Sequence, residues 1–167
     1  MKHKILYLLL SLIGLSAYSQ ESLDQTLKKH NKNKVPYISA TELRMFQEQG
    51  KTVILDSREQ KEFNVSHISS AAFVGYDHFS IEGISDIIKS KDSLIVVYCT
   101  LGIRSEVIAD KLIKAGYSNV NNLYGGILEW KNKNYTVVDP SGNETENVHV
   151  FSKEWSKWLK NGTAVYE

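Results

Sequence analysis

A single cysteine, Cys99, in a chain of 167 residues excludes any intramolecular disulfide and leaves one thiol that is either buried and inert or kept for its chemistry. The longest apolar stretch, Ile5 to Leu15, spans 11 residues, whereas a stable membrane-crossing helix takes about 20. A retained membrane anchor is therefore not expected. No cysteine lies near Ala17-Tyr18-Ser19, so a lipid-modified N-terminus of the bacterial lipoprotein type has no residue to sit on. Charge of one sign is also missing: the formal net charge is +1, and no basic footprint for nucleic acid stands out. His78 and His149 lie outside any ligand spacing, which gives no metal site. No internal repeat or low-complexity tract is present.

What remains is the balance of an ordinary globular protein, 42% hydrophobic and 23% charged, enough for one domain with a buried core. Lys2, His3 and Lys4 precede the apolar stretch, and Ala17-Tyr18-Ser19 follows it as a small-x-small cleavage signal. This order predicts a signal peptide over residues 1–19, export to the periplasm or beyond, and a soluble mature protein cut after Ser19. Removal of Lys2 and Lys4 leaves 18 basic side chains against 19 acidic ones, a formal charge of −1. Exported proteins usually pair their cysteines, so a lone thiol there points to chemistry.

Residues 20–34 are polar, rich in Lys and Asn, and read as a tether or short surface helix. Tyr37-Ile38, Ala40 to Gln49 and Val53 to Leu55 then read as strand, helix and strand, with Ser39 as N-cap and Gly50 as C-cap residue. Ala71 to Val74 is a short strand, Ile81 to Lys89 has helical spacing, and Leu94 to Tyr98 is a β-branched apolar run fit for a strand buried on both faces. Arg104 to Ala115 has Val107, Ile108, Leu112 and Ile113 at helical spacing and stops at Gly116. Val120 to Tyr124 resumes as a strand before Gly125-Gly126. The alternation predicts an α/β domain around a mostly parallel sheet. In a C-terminal extension, residues 134–167, Phe151, Trp155, Trp158 and Leu159 predict an amphipathic helix ended by Gly162.

The chemistry concentrates at Cys99-Thr100-Leu101-Gly102-Ile103-Arg104-Ser105, a loop between a buried strand and a helix. Successive backbone N–H groups in such a loop converge on one point, which the positive end of the helix also faces. These donors favour thiolate. A cysteine of pKa about 8.5 is only about 3% ionised at pH 7, and a shift to about 6.5 raises that to roughly 75%. Gly102 supplies a backbone conformation with positive φ, and Arg104 a cation beside an anionic substrate or leaving group.

Around this loop the chain resembles the rhodanese family. Leu55-Asp56-Ser57-Arg58-Glu59, Glu62-Phe63 and His67-Ile68-Ser69-Ser70-Ala71 resemble its N-terminal signature, and Cys99 to Arg104 its C-x-x-G-x-R loop. Gly116 to Val120 and Leu123-Tyr124-Gly125-Gly126-Ile127 with Trp130 are similar to its closing elements, so the likeness covers residues 35–133. The resemblance implies a central parallel sheet flanked by helices, no metal or organic cofactor, and sulfur transfer through a Cys99 persulfide. The donor is thiosulfate or a persulfide, one carried by a protein partner included, and the acceptor is cyanide or a thiol. It implies that Thr100, Leu101, Gly102, Ile103 and Arg104 bind substrate, and that Asp56 and Arg58 form a polar network beneath the loop. His67 is assigned to the framework, Tyr98 and Trp130 to the core. Thr100 and Leu101 stand where thiosulfate-using relatives carry basic residues, which predicts weak thiosulfate binding and an apolar rim from Leu101 and Ile103. Two other readings stand beside this one. A phosphatase or arsenate reductase of the same fold carries a longer C-x5-R loop, and a non-enzymatic module carries persulfide or binds a partner.

Overall fold

The computed structural model describes residues 21–166. The proposed signal peptide lies outside the described residues. Among those described, no helix is long and apolar enough to cross a membrane.

Helix α1 (Leu23–His30) starts on a capping box in which Ser22 and Gln25 exchange side-chain and backbone hydrogen bonds. It is no loose tether: Thr26 and Leu27 are buried. After strand β1 (Tyr37–Ile38), helix α2 (Ala40–Glu48) begins on the expected cap, Ser39, again boxed with Glu42. It ends where Gly50 takes φ +64° and the Lys51 N–H returns to the Phe46 carbonyl at 3.1 Å. Strand β2 (Thr52–Asp56), helix α3 (Gln60–Val65), and the two-residue strands β3 (His67–Ile68) and β4 (Ala72–Phe73) follow.

The helical spacing over Ile81 to Lys89 yields only one turn, α4 (Ile84–Ile87). Gly83 stands at its start, and Ser85 and Asp86, weak interior helix formers, fill its middle; burial of Ile84 and Ile88 anchors what remains. Strand β5 (Leu94–Tyr98), helix α5 (Arg104–Lys114), strand β6 (Val120–Leu123) and helix α6 (Gly126–Asn132) complete the main body. The strands β1-β6-β5-β2-β4 form one sheet in that order, every pair parallel.

Alternation along the central strands sorts the core into two layers. Val96 and Tyr98 of β5 and Ile54 of β2 join Leu43 of α2 and Ile127, Leu128 and Trp130 of α6 on one face. Ile95, Val97 and Leu55 meet Ile84, Ile108, Ala109 and Leu112 of α4 and α5 on the other. Both faces of β5 are therefore covered, as its continuous apolar run requires. Of the four α5 residues in the expected apolar stripe, Ile108 and Leu112 are buried; Val107 and Ile113 lie one residue, about 100° of helix, away and are exposed.

The chain after α6 forms strands β7 (Val137–Val138), β8 (Glu144–Thr145) and β9 (Asn147–His149), a 3-10 helix (Lys153–Trp158) and strand β10 (Thr163–Val165). β7 pairs antiparallel with β3 and β8, and β9 runs parallel to β10. The amphipathic α-helix expected here is replaced by the 3-10 helix. Trp155 and Trp158 stand three residues apart, so a three-residue turn eclipses them on one side, and both pack with Leu159 against the core. Phe151 leaves this stripe: it sits before the helix at φ +68° and is half exposed.

Candidate active site

Cys99 follows the last residue of β5, in the loop that leads to the N-terminus of α5. The loop's own carbonyls are tied to the start of α6: Ile127 N–H donates to the Cys99 carbonyl at 2.9 Å and Leu128 N–H to the Thr100 carbonyl at 3.3 Å. Gly126 permits this approach, since a Cβ there would meet both carbonyls. Gly102 takes φ +105°, and its N–H donates to Cys99 Sγ at 3.1 Å. Ser105 Oγ lies 3.5 Å from the same sulfur and donates to Asn122 Oδ1 at 2.7 Å. One hydroxyl proton serves one acceptor at a time, so Ser105 can turn to the sulfur only by releasing Asn122.

Cys99 is 1% exposed. Burial pushes its pKa up, but the Arg104 guanidinium, the Ser105 hydroxyl and N–H and the Gly102 N–H together outweigh this and hold it below the ordinary thiol value. The loop thus favours the nucleophilic form.

Arg104 does not stand free to receive an anion. Its Nη1 and Nη2 donate to Glu62 Oε2 and Oε1 at 2.6 and 2.7 Å, and Nη2 also reaches Thr100 Oγ1 at 3.1 Å. The Phe151 ring stacks 5.1 Å from the guanidinium. Glu62, itself buried, also accepts from the Glu59 N–H at 2.9 Å and from Thr100 Oγ1 at 3.0 Å. Burial raises its pKa, yet Arg104 and the Glu59 N–H hold it below the usual carboxylate value. His149 Nδ1 lies 3.8 Å from Glu62 Oε1 and accepts from the Phe151 N–H at 3.1 Å.

Two of the side chains expected to bind substrate point elsewhere. Thr100 and Leu101 are 0% exposed, Leu101 packing within the α2–α6 layer. The expected apolar rim loses Leu101 and keeps Ile103, which is half-buried beside Arg104. A cavity of about 190 Å³ borders these two residues, and Asn31, Lys32, Lys34 and Tyr76 also line it.

Beneath the loop Arg58 donates from Nε and Nη2 to the Asp56 carboxylate and from Nη2 to the Ser66 carbonyl at 2.6 Å. Tyr98 Oη donates to Asp56 Oδ2 at 2.6 Å and accepts from the Ile68 N–H at 3.1 Å. All three side chains are fully buried. Tyr98 is therefore both a core aromatic and a member of the polar network. His67 stacks on Phe63 at 3.9 Å between ring centroids, its Nδ1 3.3 Å from the Phe63 carbonyl.

Sequence reasoning missed Glu62, Ser105 and Asn122 as site residues, although each lies in or beside a motif. It also missed Asn31, inside the run Lys28-Lys29-His30-Asn31-Lys32-Asn33-Lys34, and Phe151, for which no local signal exists.

A parallel sheet with a lone buried thiol in a C-x4-R loop at a strand's C-terminal end defines a class. The chain belongs to the rhodanese-like domain family, which residues 39–133 match. It is similar to a tRNA uridine(34) hydroxylase of Staphylococcus aureus, 31% identical over 137 residues, and spans 71% of its own length but only 42% of that protein's in the match. Among solved structures it resembles a rhodanese-like domain from Anabaena sp. (25% identity, TM-score 0.56, 62% of this chain and 79% of that one). It shares the fold of a thiosulfate sulfurtransferase from Pseudomonas aeruginosa (20% identity, TM-score 0.59, 75% of this chain and 23% of that one).

Proposed function

We propose that this protein is an exported sulfurtransferase that carries sulfane sulfur on Cys99. The observation that carries the reading is the Gly102 N–H directed at Cys99 Sγ inside a loop that lowers the thiol's pKa. In the first step the Cys99 thiolate attacks the outer sulfur of the donor, and an S–S bond forms as the donor's own sulfur–sulfur bond breaks. The leaving group departs with the electron pair, as sulfite from thiosulfate or as a thiolate from a persulfide. In the second step cyanide or an acceptor thiolate attacks the outer sulfur, and Cys99 leaves as thiolate. Atoms and charge balance without an added oxidant. The loop spans C-x4-R, one residue shorter than the phosphatase pattern, and Arg104 is held by Glu62. Both features favour a single projecting sulfur over a tetrahedral oxyanion.

The test is loading of the purified protein with thiosulfate and, separately, with a low-molecular-weight persulfide, followed by intact mass and by thiocyanate formation from cyanide. One added sulfur atom on wild type, none on Cys99→Ser, and catalytic thiocyanate release are expected. A protein that loads but releases sulfur only to another protein acts as a carrier. Wild type that never gains sulfur would falsify the reading.

The hydroxylase relative motivates one comparison. Its activity belongs to a protein more than twice as long as the matched region. The formal net charge of the present chain is only +1, small for a tRNA-binding surface, and sulfur transfer without RNA is the favoured reaction.

A further inference from the structure

The Gly102 carbonyl accepts two side-chain amides, Asn31 Nδ2 and Asn122 Nδ2, each at 2.8 Å. Both asparagines are buried, at 8% and 0% exposure. They arrive from unrelated parts of the chain. Asn122 belongs to β6, whereas Asn31 ends α1, its N–H bound to the Leu27 carbonyl at 2.8 Å, and precedes the family match at residues 39–133.

Each amide is held in turn. Asn31 Nδ2 also donates to Tyr37 Oη at 2.7 Å, and Asn122 Oδ1 accepts from Ser105 Oγ at 2.7 Å. A carbonyl with two fixed donors has a fixed direction. In a planar trans peptide the C=O of Gly102 and the N–H of Ile103 point in opposite directions, so holding the one away from the loop turns the other into it. The Ile103 N–H stands at the start of α5, among the groups with no acceptor inside the helix. The preceding N–H, that of Gly102, already donates to Sγ.

We propose that Asn31 and Asn122 are positioning residues that aim the Ile103 N–H at the terminal sulfur of the Cys99 persulfide, so that the N-terminal segment completes the active-site loop. The identity of that sulfur rests on the sulfurtransferase reading; the clamp acts on the unloaded thiolate as well, because it sets the peptide next to the Gly102 N–H.

The experiment uses the full chain and two readouts: the pH dependence of Cys99 alkylation by iodoacetamide, and the kcat and KM of sulfur transfer from thiosulfate. Asn31→Ala moves the alkylation midpoint up by about half a pH unit, a roughly threefold loss of thiolate below the midpoint. It also lowers kcat about tenfold, less than loss of a direct oxyanion donor, with KM little changed. Asn31→Gln, which keeps the donor, recovers part of both. Ser22→Ala loosens α1 at its far end without touching Gly102 and leaves the midpoint in place. If Asn31→Ala fails to fold, Tyr37→Phe, which frees one side of the Asn31 amide, gives a smaller shift in the same direction. An unchanged midpoint in Asn31→Ala, or in Tyr37→Phe should it stand in, overturns the proposal, as does an equal shift in Ser22→Ala. Should wild type take up no sulfur from any donor, the sulfurtransferase reading falls by itself, and the alkylation midpoints still decide for or against the clamp.

Discussion

Against the opposing effect of burial, the Cys99 pKa is lowered by the Arg104 charge and by donors only a few atoms away, and the expected pH dependence follows from the sign of that shift. A thiol whose folded pKa lies below its unfolded value stabilises the fold fully above the unfolded pKa and loses that contribution as pH falls through the folded one. Alkylation of the native protein should therefore persist to lower pH than that of the urea-unfolded chain; superimposed profiles would remove the thiolate argument. Glu62 sets the neighbouring charge. Glu62→Gln leaves the Arg104 guanidinium, only 16% exposed, without its buried counter-charge. Removing one partner of such a pair costs about 3–5 kcal/mol, measurable by urea unfolding. The freed charge should at the same time lower the KM for thiosulfate. Leu101 behaves differently from its sequence reading. A lysine there would bury an ammonium in the α2–α6 layer, so Leu101→Lys is expected to destabilise by about 4 kcal/mol rather than improve anion binding.

Segments on both sides of the family match contribute to the site. The chain from β7 onward places Val137, Val148 and Val150 in the core at 0% exposure, and Ser66 Oγ donates to the Asn147 carbonyl at 2.6 Å. Three such side chains are worth about 1.5–3 kcal/mol each. Truncation after Lys133 should therefore unfold the domain or lower its melting temperature sharply, and a truncated protein with unchanged Tm would show that the extension is merely appended. How far these relations could be read beforehand depended on range. The strand β5, the caps Ser39 and Gly50, the helix α5 and the loop around Cys99 are local patterns of periodicity and turn chemistry, and they stand where the pattern puts them. The burial of Leu101 depends on how the loop seats against α6, and the clamp by Asn31 spans 71 residues. The reach of Phe151 to Arg104 depends on where β9 leaves the chain. None of these has a sequence period, because each is fixed by the assembled layers rather than by neighbouring residues.

The charge distribution of the whole molecule bears on the donor. The net charge is nearly zero, so attraction of an anion must come from local placement rather than from the overall field. At the loop that attraction is weak: Thr100 and Leu101 are buried and uncharged, and Arg104 is committed to Glu62. Lys32 and Lys34 are different. Asn31 anchors their segment to Gly102, and both line the cavity beside Ile103 and Arg104. Glu106 and Asp110 share that lining and offset part of this charge: the Glu106 carboxylate accepts the Lys32 backbone N–H, a neutral donor that leaves it negative, whereas Asp110 is paired with Lys114 and also feels both lysines. The lysines nevertheless supply the cationic character that the loop itself lacks. Thiosulfate, with two negative charges, should therefore show a high KM that rises further with salt, since such exposed charges are screened over about 8 Å at physiological ionic strength. Reversing both charges, Lys32→Glu with Lys34→Glu, should raise that KM about tenfold at low salt, with the difference shrinking as salt is added. Transfer from an uncharged organic polysulfide should be unaffected. Equal changes for both donors would mean that the substitutions disturb α1 and the clamp rather than the field, and no change for either would place anion recognition elsewhere on the molecule.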